Sequence, residues 1–201
     1  MTPELRAIAD RFIYEQATLK HIAALAPEDA LNRNVPGQAW TVRQLLAHLA
    51  TSLQNYDRIV RRWLAGEPPL EGWDPDHLNA ATAEQYKAAT VAQLFEVFGR
   101  GLNGLFASLS AIPDEKLPEP LGTSDALTTL RGFGDHAVGH AIALADALPE
   151  VRFDPLVLNW LLGAEFEDEE SQAWQRQLLA EAREYIASLP EHEDEEDEDE
   201  E

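Results

Sequence analysis

The chain has 201 residues, 45% of them apolar, and no cysteine. That is enough for one domain with a full core and excludes wholesale disorder, while disulfides, thiolate metal sites and a cysteine nucleophile are all ruled out. The formal charge is −22; ten of the 37 acidic residues fall in the last eleven, EHEDEEDEDEE, yet the other 27 still outnumber the 15 Lys and Arg, an excess that opposes binding to a phosphate backbone.

The acidic end, residues 190–201, has nothing to bury and repels itself, so it is expected to be a disordered, solubilising tail with His192 inside it. No run of about 18 apolar residues exists to cross a membrane. The start, MTPELRAIAD, lacks a basic region followed by an apolar stretch, so no signal peptide is expected, and the absence of cysteine fits a cytoplasmic protein.

Helix signals recur along the chain, and no segment sustains the period-two alternation of a strand. The first helix is predicted over residues 3–25, with Thr2 as cap and Pro3 at the first helical position. Leu5, Ile8, Phe12, Leu19 and Ile22 form its apolar stripe; His21 lies off that stripe and is expected at the surface. The loop APEDALNRNVPGQA follows. A second helix opens at WTVRQLLAHLA and runs to about residue 64. Thr41 and Gln44 fit a capping box, and Trp40 and Leu45 occupy hydrophobic-staple positions. Val42, Leu45, Leu49, Ser52, Tyr56, Ile59 and Trp63 mark its inner face, with His48 at the edge.

The link AGEPPLEGWDPDH is long for a helical hairpin and suits a crossover from one end of a bundle to the other. His77 within it is expected to be exposed. A third helix is predicted over residues 78–111, with a second T-x-x-Q box at Thr90 and Gln93 marking a break. Its stripe is Val91, Leu94, Phe98, Leu102, Leu105 and Leu109. Gly99, Gly101 and Gly104 each weaken the helix by about 1 kcal/mol relative to Ala and suit close approach of a neighbouring helix or ligand. A fourth helix is predicted over residues 125–148, capped by Ser124 or Asp125. Leu130, Phe133, His136, His140, Leu144 and Ala147 fall on one stripe. Beyond Pro149 come the apolar segment DPLVLNWLL and a fifth helix from about residue 171 to 189. These elements give a bundle over residues 1–150 and a C-terminal helical extension over 151–189 packed on it.

In FGDHAVGHAIAL the two histidines lie one turn apart on the inward face. A buried imidazole must satisfy both nitrogens or leave a polar atom unpaired at about 1–3 kcal/mol. Two readings stand side by side on spacing alone. In one, the pair are satisfied core residues and His48 is unrelated. In the other, His48, His136 and His140 converge on a metal. Zinc takes three imidazole nitrogens and keeps a fourth position for water or ligand, and nickel and ferrous iron also suit imidazole. No glycine-rich phosphate loop, G-x-S-x-G elbow or HExxH competes. Asp135 adjoins His136, but neighbours on a helix point about 100° apart, which makes it a poor ligand. Ser52 and Tyr56, one and two turns after His48, are the candidates for lining a pocket.

The order of these pieces, W-T-V-R-Q-L-L-A-H-L-A in the second helix, a long link, I-P-D-E-K-L closing the third and H-A-V-G-H in the fourth, resembles the DinB-like superfamily over roughly residues 1–148. The resemblance implies an all-α, up-down-down-up four-helix bundle, often a homodimer, with a divalent metal held by His48, His136 and His140. Characterised relatives include the N-terminal domains of mycothiol-dependent maleylpyruvate isomerases and S-transferases that use bacillithiol, mycothiol or glutathione. A metal-dependent thiol S-transferase acting on a small electrophile, with a low-molecular-weight thiol as co-substrate, is therefore one expectation. The other is a non-catalytic metal- or ligand-binding stress-response protein or dimerisation scaffold. Many members continue their last histidine as H-R-G-Q, whereas His140 is followed by AIA. The extension also differs from the additional domain of the isomerases. Both departures count against a transferase more than against metal binding. Arg43 and Arg131 are the nearest cations in sequence, too few to favour an anionic thiol.

Overall fold

The structure, a computed structural model, describes residues 1–166 and 168–189, so the acidic tail predicted over 190–201 and His192 lie outside the described residues. The chain divides into two compact units, the first running from Met1 to Ala164 and the second starting at Glu165.

Within the first unit the helices start where side chains can satisfy orphan backbone N–H groups. Helix α1 spans Pro3–Leu25, and Thr2 Oγ1 accepts from the Leu5 N–H. Helix α2 spans Val42–Leu64 behind a complete capping box: Gln44 N–H donates to Thr41 Oγ1 and Thr41 N–H donates to Gln44 Oε1. Helix α3, Pro75–Tyr86, begins before the predicted residue 78, because Asp74 accepts from the His77 N–H and Pro75 fits the first position. His77 is exposed there, as expected. Helix α4, Val91–Ser110, has its own box at Thr90 and Gln93, so the break anticipated near Thr90 separates two helices.

Strand β1, Pro120–Leu121, pairs antiparallel with β2, Ser124–Asp125. Gly122 turns the corner at φ 81°, a region open to glycine. Two residues per strand are too few to leave a periodic trace in sequence. The ladder delivers Asp125 to its place as cap of helix α5, Ala126–Gly139. The predicted fourth helix is not continuous: it breaks at His140, and helix α6, Ala141–Ala147, resumes after it. At the break the His140 N–H bonds to the Ala137 carbonyl, three residues back rather than four, directly after Gly139. Helix α7, Pro155–Gly163, belongs to the same unit. Its Val157, Trp160 and Leu161 share an apolar lining with Ile22 of α1 and Ala141 and Leu144 of α6.

The pairings fix the helix directions. Arg43 near the start of α2 donates to the Ala89 carbonyl just before α4, Gly101 faces Ala50 and Leu53, and Ser108 donates to Asp57; α2 and α4 therefore run parallel. Against α5 the order reverses, since Tyr56 stacks on Phe133 while His48 meets His136 and His140. Helix α1 runs with α5 and α6, because Arg11 pairs with Asp135 and Ile22 lies by Ala141. The result is an up-down-down-up bundle of α1, α2, α4 and α5–α6, with the long link crossing over and carrying α3 back onto α2, where Gln44 Nε2 donates to the Ala83 carbonyl over 3.1 Å.

The core lies between these helices and includes Leu5, Ile8, Phe12, Leu53, Ile59, Leu105, Leu109 and Leu130. Close approach of α4 to α2 depends on glycine. A Cβ on Gly101 would meet Leu53 Cβ at 2.9 Å, and one on Gly104 would meet Asp57 Oδ2 at 2.8 Å. Gly99, grouped with them in sequence, has nothing within 4 Å of such a position and faces open space. In the second unit, helix α8 spans Glu169–Ser188 and is capped by Asp168, which accepts from the Ser171 N–H. No helix among the described residues is long and apolar enough to cross a membrane.

Candidate metal centre

Three elements build the site. Helix α2 supplies His48 about two turns from its cap, helix α5 supplies His136 in its last turn, and the break between α5 and α6 supplies His140. His48 is buried, at 9% exposure, and the other two rings are half-buried. Ring nitrogens of all three lie within 4.8 Å of one another. His48 Nε2 and His136 Nε2 are 3.1 Å apart. The ring centroids of His136 and His140 are 5.1 Å apart and those of His48 and His140 5.3 Å, both pairs close to edge-on.

Burial removes charge from this cluster. It pushes His48 down to about 3, with the neighbouring His136 and His140 adding to the effect and a hydrogen bond with Asn79 opposing it. Burial, then His140, pushes His136 down to about 4, and burial alone lowers His140. All three rings are thus neutral at neutral pH, the form that offers a lone pair to a metal.

The spacing fits a metal. Nitrogens bound at about 2.0–2.1 Å in tetrahedral geometry stand roughly 3.3–3.4 Å apart. The His48–His136 pair stands at 3.1 Å, and the third ring offers a nitrogen within 4.8 Å of both.

The surroundings include groups that periodicity did not reveal. The loop before α2 folds back on itself through a bridge between Asn34 and Thr41, with Val35 N–H bonded to the Trp40 carbonyl over 2.8 Å and Gly37 at φ 71° in the bend. It carries two side chains onto the cluster. Trp40, expected to staple against Leu45, has its ring 4.8 Å from that of His48 and 6.5 Å from that of His140. Gln38 Nε2 is 3.3 Å from His140 Nδ1. Asn79 on α3 hydrogen-bonds His48. Neither amide lies in a recognisable motif: Gln38 comes from a connecting loop and Asn79 from the short helix α3, and neither sequence carries a positional signal toward the histidines.

Ser52 and Tyr56, expected to line a pocket, sit differently from each other. Ser52 Oγ donates back to the His48 carbonyl over 2.9 Å. Tyr56 stacks on Phe133 at 4.1 Å and turns its edge toward His136 at 6.1 Å. Burial raises its phenol above the ordinary range, partly offset by a hydrogen bond with Ser52, so it stays protonated and able to donate. Asp135 points to Arg11 rather than into the cluster, at 2.7 Å. Arg43 is buried and donates to the Ala89 carbonyl, Glu28 and Asn32, while Arg131 is exposed. His21 lies at the surface, as expected, with its side chain 37% exposed, and its Nε2 is 3.0 Å from Asp154, the cap of α7.

A family model described as the DinB superfamily matches residues 13–143, a span that contains all three histidines. No curated protein and no solved structure matches the chain.

Proposed function

The chain belongs to the DinB superfamily, and on that premise we propose that His48, His136 and His140 hold one divalent ion, zinc, nickel or iron, with a position left open for an exogenous ligand. The observation that carries this reading is the convergence of three neutral imidazoles from separate elements within 4.8 Å. An isolated buried imidazole needs a hydrogen-bond partner on each nitrogen. Here two rings turn the same nitrogen, Nε2, toward each other, an arrangement that suits a shared cation better than mutual hydrogen bonding.

When bound, such an ion supplies a Lewis acid that lowers the pKa of a thiol and holds it as thiolate. We take the activity to be transfer of a low-molecular-weight thiol to a small electrophile. In this reading the three rings bind, Trp40 covers one side, and the protonated Tyr56 with Ser52 lines the approach. Arg43 is already spent on Ala89 and Glu28, which favours a co-substrate without strong negative charge near the sulfur. The same observation supports a second reading, a non-catalytic metal-binding protein. A homodimer belongs to either proposal, with sedimentation of the full chain as its test.

Elemental analysis of the purified protein beside His136→Ala tests the metal. Stoichiometric metal in the wild type and its loss in the variant are expected; no metal in either overturns the site. Adding thiols to a cobalt- or nickel-substituted sample then separates the two readings. A change in the optical spectrum supports transfer chemistry, and an unchanged spectrum with every common low-molecular-weight thiol leaves the non-catalytic one.

A further inference from the structure

An imidazole that coordinates through one nitrogen carries its proton on the other, and that N–H needs an acceptor. For His140 the group in reach of Nδ1 is the Gln38 amide, at 3.3 Å. Nδ1 is thereby engaged, and Nε2 is left as the atom His140 offers to the cluster. The amide meets the ring with its nitrogen, while its oxygen, Oε1, is buried and has no partner among the described residues. An orphaned buried oxygen costs about 1–3 kcal/mol. A half-turn of the amide about its last bond exchanges the two ends, and brings that oxygen to the only proton a metal-bound His140 has left to donate.

We propose that Gln38 is the positioning residue of the metal site: its Oε1 accepts the His140 Nδ1–H, fixes the ring's tautomer and aims Nε2 at the ion. The inference rests on the metal reading above. Gln38 is suited to this because its backbone is held independently of the ligand. The Asn34–Thr41 bridge, the Val42 N–H bond to Arg33 and the Gln38 N–H bond to Val35 all brace the loop. The same short loop presses Trp40 against the rings of His48 and His140. The group also answers a gap in the sequence. The stretch after His140, AIA, brings no polar side chain, and an amide from 102 residues earlier stands beside the ring.

The test compares cobalt binding by the full chain as wild type, Gln38→Ala and Gln38→Glu, titrated against a competing chelator, with nitrogen NMR of the histidine rings as second readout. Loss of an outer hydrogen bond to a metal-bound histidine typically weakens binding 10–100-fold. Gln38→Ala is expected to fall in that range, to change the visible cobalt spectrum, and to melt as the wild type does when metal-free. Gln38→Glu, which keeps an acceptor oxygen at the same reach, is expected to recover most of the affinity. In the loaded wild type the His140 ring is expected to carry its proton on Nδ1. Equal cobalt affinity in wild type and Gln38→Ala overturns the inference while leaving the metal site standing. So does a metal-free melting point that drops as far as the loaded one, because it marks Gln38 as a folding residue. If the wild type binds no cobalt, the proposed function itself falls, and the positioning role with it.

Discussion

Glu15 sits on α1 with its side chain 5% exposed, paired to Arg11 at 3.0 Å. Burial outweighs that pairing and pushes its carboxyl up to about 7, with Asp135 contributing in the same direction. The folded state therefore holds a proton that the unfolded chain, with an ordinary carboxyl, has released between about pH 4.5 and 7. Stability from this group is highest below that window and declines as pH rises through it, by on the order of 3 kcal/mol in total. The buried histidines run the opposite way: their lowered values make the folded state bind fewer protons than the unfolded one below about pH 6.5, so stability from them declines as pH falls. Because the windows overlap, a difference measurement isolates Glu15. In chelator, the melting temperature of Glu15→Gln minus that of the wild type is expected to increase from pH 5 to pH 8, and a difference independent of pH contradicts the assignment. At this scale the pairing of His136 with His140 on one face was legible from phase and spacing, and His48 joined them through the family resemblance. Glu15, Gln38 and Asn79 were not, because burial of one polar residue among apolar neighbours depends on which helices cover it.

Helix boundaries followed cap chemistry closely, since Thr2, Thr41, Thr90 and Asp125 each accept a backbone N–H at the predicted position, while Asp74, not foreseen as a cap, starts α3 earlier than expected. The break at His140 was not legible, because the apolar stripe runs through it unchanged. The glycines of α4 give a paired prediction. Gly101→Ala places a methyl 2.9 Å from Leu53 Cβ and 3.1 Å from the Ala50 carbonyl, both on the rigid body of α2, and is expected to cost about 1–3 kcal/mol. Gly99→Ala meets nothing within 4 Å and is expected to gain about 0.5–1 kcal/mol by removing backbone freedom from the unfolded chain. Urea titration of both variants checks this, and a similar effect at the two positions contradicts the close packing of α4 on α2. Thr41→Ala, which removes the hydroxyl that accepts the Gln44 N–H and leaves only the backbone N–H half of the capping box ahead of His48, is expected to cost about 1 kcal/mol and to weaken metal binding further through misplacement of the loop that carries Gln38.

For the whole molecule, the metal reading ties α2 to the α5–α6 corner. A ligand bound only by the folded state stabilises it by about 2.7 kcal/mol at 100 times its dissociation constant, which for a chain of this size raises the melting temperature by roughly 5–11 °C. That rise is expected on adding zinc, nickel or iron to the wild type, in proportion to affinity, and is expected to vanish when His48, His136 and His140 are all replaced by Ala. The crossover, and with it the parallel run of α2 and α4, was legible in the long Pro- and Gly-rich link and the family resemblance, but the close packing of those two helices on each other was not, because periodicity tells which face of a helix is apolar and not which helix covers it.

The two nearest ring nitrogens of the site belong to residues 88 positions apart in the chain. At about 5–20 residues per second, the ribosome takes roughly 4–18 s to make the stretch between His48 and His136. Throughout that interval the emerging polypeptide has a single imidazole of the three and no means of chelation. Under the proposed metal reading, capture is timed by translation: it waits for the last helix of the bundle, and the ion would be selected by a fold already closing around it rather than by a nascent chain.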